Sequence, residues 1–142
     1  MKEKWMAPKT VIEEFTPNEY IAACWGVSCS WQAANNYEID HNYWDNGNVK
    51  HVPGECGNFS HQYLVDDNGD GKPDAMYEAS SDLGNLKCTI YANEYYFKPV
   101  RDLSSIKAGA YIYWTTSSGN RTWHHQGTVQ ATGPENHPNA SC

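Results

Sequence analysis

The chain has 142 residues, the length of one domain, and carries ten Lys+Arg against seventeen Asp+Glu for a formal net charge of −7. So acidic a balance leaves too few cations to neutralise a row of phosphates, which argues against nucleic acid and anionic membrane surfaces as partners. Aromatic residues make up 13% of the sequence, too many for a disordered tail, and no apolar run approaches the roughly 20 residues of a membrane span, so membrane insertion is not expected.

A single domain over 1–142 is expected, with a core over 10–131 and a tail over 132–142. The start, MKEKWMAPK, is charged and lacks an apolar core, so no signal peptide is expected there. Val11 to Phe15 reads as a short strand. Thr16-Pro17-Asn18-Glu19 combines a capping threonine, a proline at the first helical position and a glutamate at the third. That pattern predicts a helix from about Pro17 to Trp25, interrupted by Gly26. Ser30 to Glu38 offers one or two further helical turns, weakened by Asn35 and Asn36. Asp40 to Gly57 is rich in Asn, Gly, His and Asp and reads as a long loop.

The rest is strand-like. Phe59 to Val65 and Ala75 to Ala79 are strand candidates. Lys87 to Ala92 and Glu94 to Val100 are β-rich by composition, with Asn93 as turn or bulge between them. Asp102 to Gly109 is a turn region. Ala110 to Thr116 and Thr122 to Ala131 flank Ser117-Ser118-Gly119-Asn120, which predicts a hairpin. The fold class expected is β-rich α+β: an antiparallel β-sandwich or barrel-like sheet with one N-terminal helix.

The sharpest motif is Asp66-Asp67-Asn68-Gly69-Asp70-Gly71-Lys72-Pro73-Asp74, which fits D-x-N-x-D-G-x-x-D. Asp66, Asn68, Asp70 and Asp74 place oxygens at loop positions one, three, five and nine. The Lys72 carbonyl at position seven adds another oxygen, and Gly71 permits the sharp turn. Tyr77 stands where an EF-hand has its bidentate acid, and Glu78, one residue on, is the substitute considered. The loop resembles the short calcium loops of dockerins, thrombospondin-type repeats and integrin-like propeller repeats. The expected cofactor is Ca²⁺ in a structural role.

Five cysteines, Cys24, Cys29, Cys56, Cys88 and Cys142, fit an oxidising compartment better than a reducing one and form no C-x-x-C pair. An odd count leaves one thiol unpaired within the chain. Cys142, with Cys24, Cys29, Cys56 or Cys88 as acceptor, is the candidate for a disulfide between subunits. The plainer reading makes Cys24 and Cys88 small buried hydrophobes. His41, His51, Glu55, Cys56 and His61 are ligand types, but their spacing matches no zinc pattern and reads as scattered surface histidines.

Cys29 precedes a helical stretch, and Ile106 to Trp114 leads through the hairpin to Trp123-His124-His125-Gln126-Gly127. This order resembles the NlpC/P60 and CHAP cysteine hydrolases of bacterial cell walls. The resemblance implies a nucleophilic Cys29 at a helix start and His124 or His125 as its base. Ala110 and Trp31 depart from that family pattern, and no residue orienting the histidine is evident. Separately, Trp25, Trp31, Tyr43, Trp44, Tyr111, Tyr113, Trp114 and Trp123 offer surfaces for stacking on sugar rings. Tyr111 and Tyr113 share one strand face, and Ile112 and Trp114 the other.

The leading expectation is a non-catalytic structural or adhesive protein, extracellular or at the cell surface. It would be calcium-stabilised and self-associating as a homo-oligomer or polymer. A cysteine hydrolase of cell-wall peptides and a carbohydrate-binding module are the alternatives.

Overall fold

The computed structural model describes residues 24–41, 51–52, 61–80 and 83–131. The strand expected at Val11–Phe15, most of the helix expected from Pro17, and the tail lie outside them. The described residues are strand-rich and form an antiparallel, nearly closed barrel-like sheet with one short helix.

Strand β1 is Cys24–Cys29. The helix expected through Trp25 is therefore corrected at Cys24 and Trp25, and the reason is tertiary. The first half of β1 pairs antiparallel with β2 (Gln62–Val65) and the second half with β7 (Arg121–Val129). Neighbours on both sides satisfy backbone groups that a helix would have satisfied internally. Gly127 makes the second pairing work: a Cβ built there would lie 1.9 Å from the Ser28 carbonyl oxygen.

Helix α1, Trp31–Asp40, follows directly and covers the helical stretch expected from Ser30. Its asparagines give it little intrinsic propensity, so packing must hold it. Ala34 and Glu38, one turn apart, are its buried residues. They turn towards β7, where a Glu38 Oε1 atom accepts the backbone N–H of His124 at 2.7 Å.

β3 (Ala75–Ser80), β4 (Gly84–Lys87), β5 (Thr89–Tyr91) and β6 (Tyr111–Ser118) complete the sheet, ordered β4-β3-β2-β1-β7-β6-β5. The two outermost strands, β4 and β5, are separated in sequence by Cys88 alone. So short a link requires the two edges of the sheet to approach each other, which rolls it towards a barrel. The β6–β7 hairpin is as expected, with Ser118↔Arg121 closing on Gly119 and Asn120. Gly119 takes φ +62°, a conformation other L residues rarely adopt.

Two segments differ from expectation. Gly84 to Leu86 is strand although its composition gives no strand signal; it pairs along β3 from Ser80↔Gly84 to Tyr77↔Lys87. Glu94–Val100 is not a strand but a turn-rich segment, with Pro99 making an isolated bridge to Tyr91. Asn93 starts the turn: its side-chain oxygen accepts the Tyr95 N–H at 2.9 Å and its carbonyl accepts that of Tyr96. Tyr96 has φ +57°, which a strand cannot accommodate.

The main core contains Val27, Leu64, Met76, Ile90, Trp114 and Val129. Ile112 and Trp114 face inward from β6 while Tyr111 is exposed, as the alternation implies.

Candidate functional site

Cys29 is the last residue of β1 and immediately precedes the Ser30 cap of α1. Cys29 pairs with Gly127, two residues beyond His125, so both side chains lie on the inner face of the sheet. The Cys29 Sγ is 3.9 Å from His125 Nδ1. It is also 3.8 Å from Nδ1 of His51. All three side chains are buried, at 3%, 3% and 4% exposure for Cys29, His125 and His51.

Every ring nitrogen turned away from the sulfur faces an oxygen. His51 Nε2 lies 3.7 Å from Glu38 Oε1. His125 Nε2 is 3.0 Å from Thr116 Oγ1 and 3.5 Å from Glu78 Oε1. Trp114 stacks on the His125 ring, with centroids 5.3 Å apart and planes 7° from parallel. Tyr96 donates its hydroxyl to the His125 carbonyl at 2.7 Å. Asn35 of α1 locks the backbone of His51 from both sides, donating to its carbonyl at 2.7 Å and accepting from its N–H at 2.9 Å.

Charge follows this geometry. Burial by itself pulls the His51 pKa down, but the hydrogen bond and charge of Cys29 and those of Glu38 outweigh it, and the value is raised to about 9. Burial pushes the Glu38 carboxyl up, yet its bonds to the His124 and His51 side chains and to the His124 backbone bring it down to about 2. Cys88, the other reduced thiol among the described residues, is an opposite case. Burial, with a smaller contribution from Glu78, pushes its pKa well above the ordinary value.

Of the sequence-derived pair, His125 lies against Cys29 and His124 faces Glu38, with its Nδ1 3.5 Å from Glu38 Oε1. His51 was read as a surface histidine and is buried at the centre of the site. His41 is exposed and stacked on Tyr37. Glu38, Asn35, Glu78 and Thr116 carried no sequence signal for this site, since each lies on a different element or faces it only after folding. The one clue was chemical type: His51 is a metal-ligand or acid–base residue in an otherwise unassigned loop.

The acidic loop joins β2 to β3. Asp66, Asp70 and Asp74 each offer a carboxylate oxygen, and these oxygens lie within 4.8 Å of one another. Asp66 is buried and accepts backbone N–H groups from Gly69, Asp70 and Gly71. Asn68 donates to Asp74 and accepts from the Asp70 N–H, and the Lys72 N–H bonds Asp70. Glu78 does not join this loop. It sits on β3 opposite Gln62 and faces His125.

Cys24 is buried on β1. Cys29 retains a buried thiol. Cys56 and Cys142 lie outside the described residues. Among the aromatics proposed for sugar stacking, Trp114 is wholly buried, Tyr111 is exposed, and Tyr43 and Trp44 lie outside the described residues.

The fold and site define a strand-rich, barrel-like protein with an internal cysteine–histidine–histidine cluster. Comparison with known proteins finds no family model, no curated protein and no solved structure that matches this chain.

Proposed function

We propose that the protein is a cysteine-dependent acyl hydrolase, with Cys29 as nucleophile, His51 as its acid–base partner and Glu38 orienting His51. The carrying observation is a thiol on the residue before the cap of a ten-residue helix, 3.8 Å from an imidazole whose far nitrogen faces a carboxylate. A helix N-terminus favours the thiolate, and a carboxylate behind the imidazole favours the ring that has taken the thiol proton. His125, fixed by Thr116, is the second imidazole against the sulfur.

In this reading the Cys29 thiolate attacks the acyl carbon of an ester or amide. His51 gives its proton to the departing alcohol or amine, leaving a thioester on Cys29. Water then attacks the thioester, His51 accepts the proton of that water, and the acid departs while Cys29 returns as thiolate and His51 as imidazolium. The test is a pre-steady-state burst with p-nitrophenyl acetate on metal-free protein. The expected result is a burst of about one nitrophenolate per chain, absent in Cys29→Ala. His51→Ala should slow it by roughly 10²–10⁴-fold, the usual worth of a general acid–base. A burst that survives Cys29→Ala, or none in the unaltered protein, would overturn the assignment.

We also propose that the 66–74 loop holds Ca²⁺ in a structural role, supported by the convergence of Asp66, Asp70 and Asp74. An oxidising, calcium-replete setting outside the cell suits this loop and the chain's five cysteines together.

A further inference from the structure

The geometry points to a second use of the same buried cluster: Cys29, His51 and His125 form a three-ligand site for a borderline-soft divalent transition cation, Zn²⁺ being the natural occupant. This does not rest on the hydrolytic reading, because it needs only the positions of the three side chains. The two uses exclude each other at any instant, so the ion would act as a reversible block on the thiol.

Three observations carry it. The sulfur and two imidazole nitrogens lie within 4.8 Å of one another, all on buried residues. The Sγ···Nδ1 separations are 3.8 and 3.9 Å. A tetrahedral zinc with Zn–S near 2.3 Å and Zn–N near 2.0–2.1 Å sets that separation at about 3.6 Å, so the atoms need to move only slightly.

The far nitrogens give the second observation. Both histidines offer the same atom, Nδ1, to the centre and turn Nε2 to an oxygen: Glu38 behind His51, Thr116 and Glu78 behind His125. Outer carboxylates and hydroxyls of this kind fix the ring orientation of metal-bound histidines and raise their basicity. Charge is the third. A thiol and two glutamates gather around the two imidazoles in a largely buried space, and a dication compensates the negative charge that a thiolate and carboxylates bring there. The donor set, one thiolate and two imidazoles, selects zinc, cobalt or copper over calcium or magnesium. Three protein ligands leave the fourth tetrahedral position for water or a small ligand.

The experiment is a titration of chelator-treated protein with Co²⁺, read by its visible and near-ultraviolet absorption, followed by Zn²⁺ competition. The expected result is one cobalt per chain with a thiolate-to-cobalt charge-transfer band, displaced by stoichiometric Zn²⁺. Cys29→Ser should abolish that band, and Glu78→Gln, which keeps all three ligands, should weaken zinc binding by about 10–100-fold. Zn²⁺ should also protect Cys29 from alkylation. Circular dichroism establishes that each variant is folded; if Cys29→Ser fails to fold, Glu78→Gln and alkylation protection carry the test. No charge-transfer band in the folded unaltered protein, or one that persists in Cys29→Ser, would overturn the site. Failure of the hydrolytic reading appears elsewhere, as a missing nitrophenyl acetate burst in the metal-free protein.

Discussion

His51 and Glu38 each hold a charge that the unfolded chain would hold less firmly at some pH, and the two act at opposite ends of the scale. The His51 pKa is raised to about 9, so its contribution to stability is complete below its unfolded value and disappears as pH rises through about 9. Glu38 is lowered to about 2, so its contribution is complete above its unfolded value and disappears as pH falls through about 2. In chelated protein, melting temperature against pH should therefore decline on the alkaline side of neutrality, and His51→Gln should flatten that decline. A profile of unchanged slope in His51→Gln would contradict the assignment. The two reduced thiols among the described residues offer a second residue-level test. Iodoacetamide should modify Cys29 before Cys88, since Cys88 is held protonated by burial. Peptide mapping after short exposure decides between them. Asn35 is a positioning residue in this scheme, acting through two bonds to the His51 backbone. Asn35→Ala should slow Cys29 alkylation near neutral pH and raise the pH at which its rate climbs, whereas a purely structural asparagine would change stability and leave that midpoint in place.

At the scale of elements, the junction of β1 and β7 brings Cys29 to His125. That junction depends on Gly127, where any Cβ would collide with the Ser28 backbone. Gly127→Ala should cost about 1–3 kcal/mol or more by urea denaturation, because backbone rather than a pliant side chain must give way. The same variant should depress zinc affinity, since β1 and β7 each carry a ligand. The hairpin of β6 and β7 was legible in the sequence because strong β-formers flank a Gly-Asn turn. The β1 strand was not, since a capping box and the following residues suit a helix locally, and only partners on both sides make Cys24–Cys29 extended. Gly84 to Leu86 illustrates the same override: β3 supplies the hydrogen bonds that its composition does not call for.

Across the whole molecule, the nearly closed sheet places the acidic loop and the cysteine–histidine cluster on β2–β3 and β1–β7 of one connected body. β3 belongs to both, leaving the loop at Asp74 and presenting Glu78 to His125. Calcium at the loop would stabilise the native chain by mass action, by about 2.7 kcal/mol at one hundred times its Kd, or roughly 5–10 °C in melting temperature. Calorimetry with calcium and with chelator measures this directly. Asp66→Asn should remove the calcium-dependent rise and lower the calcium-free stability as well, because Asp66 accepts three backbone N–H groups. An unchanged rise in Asp66→Asn would place the ion elsewhere.

Sequence by itself determined the β-rich class, the central hairpin, the short helix after Cys29 and the spacing of the acidic loop. These are local properties: alternation, turn chemistry and side-chain oxygens a few residues apart. It also paired Cys29 with His124 or His125, through a resemblance in the order of elements. Only the tertiary structure chose His125 over His124: adjacent strand residues face opposite sides, and His125 is the one on the side of Cys29 while His124, also buried, faces Glu38. Only folding brought His51 from an unassigned loop, Glu38 from the helix and Glu78 from β3 to one buried centre. Their separations along the chain follow no motif, since the contacts between them are made by the rolling of the sheet, a property no short window of residues contains.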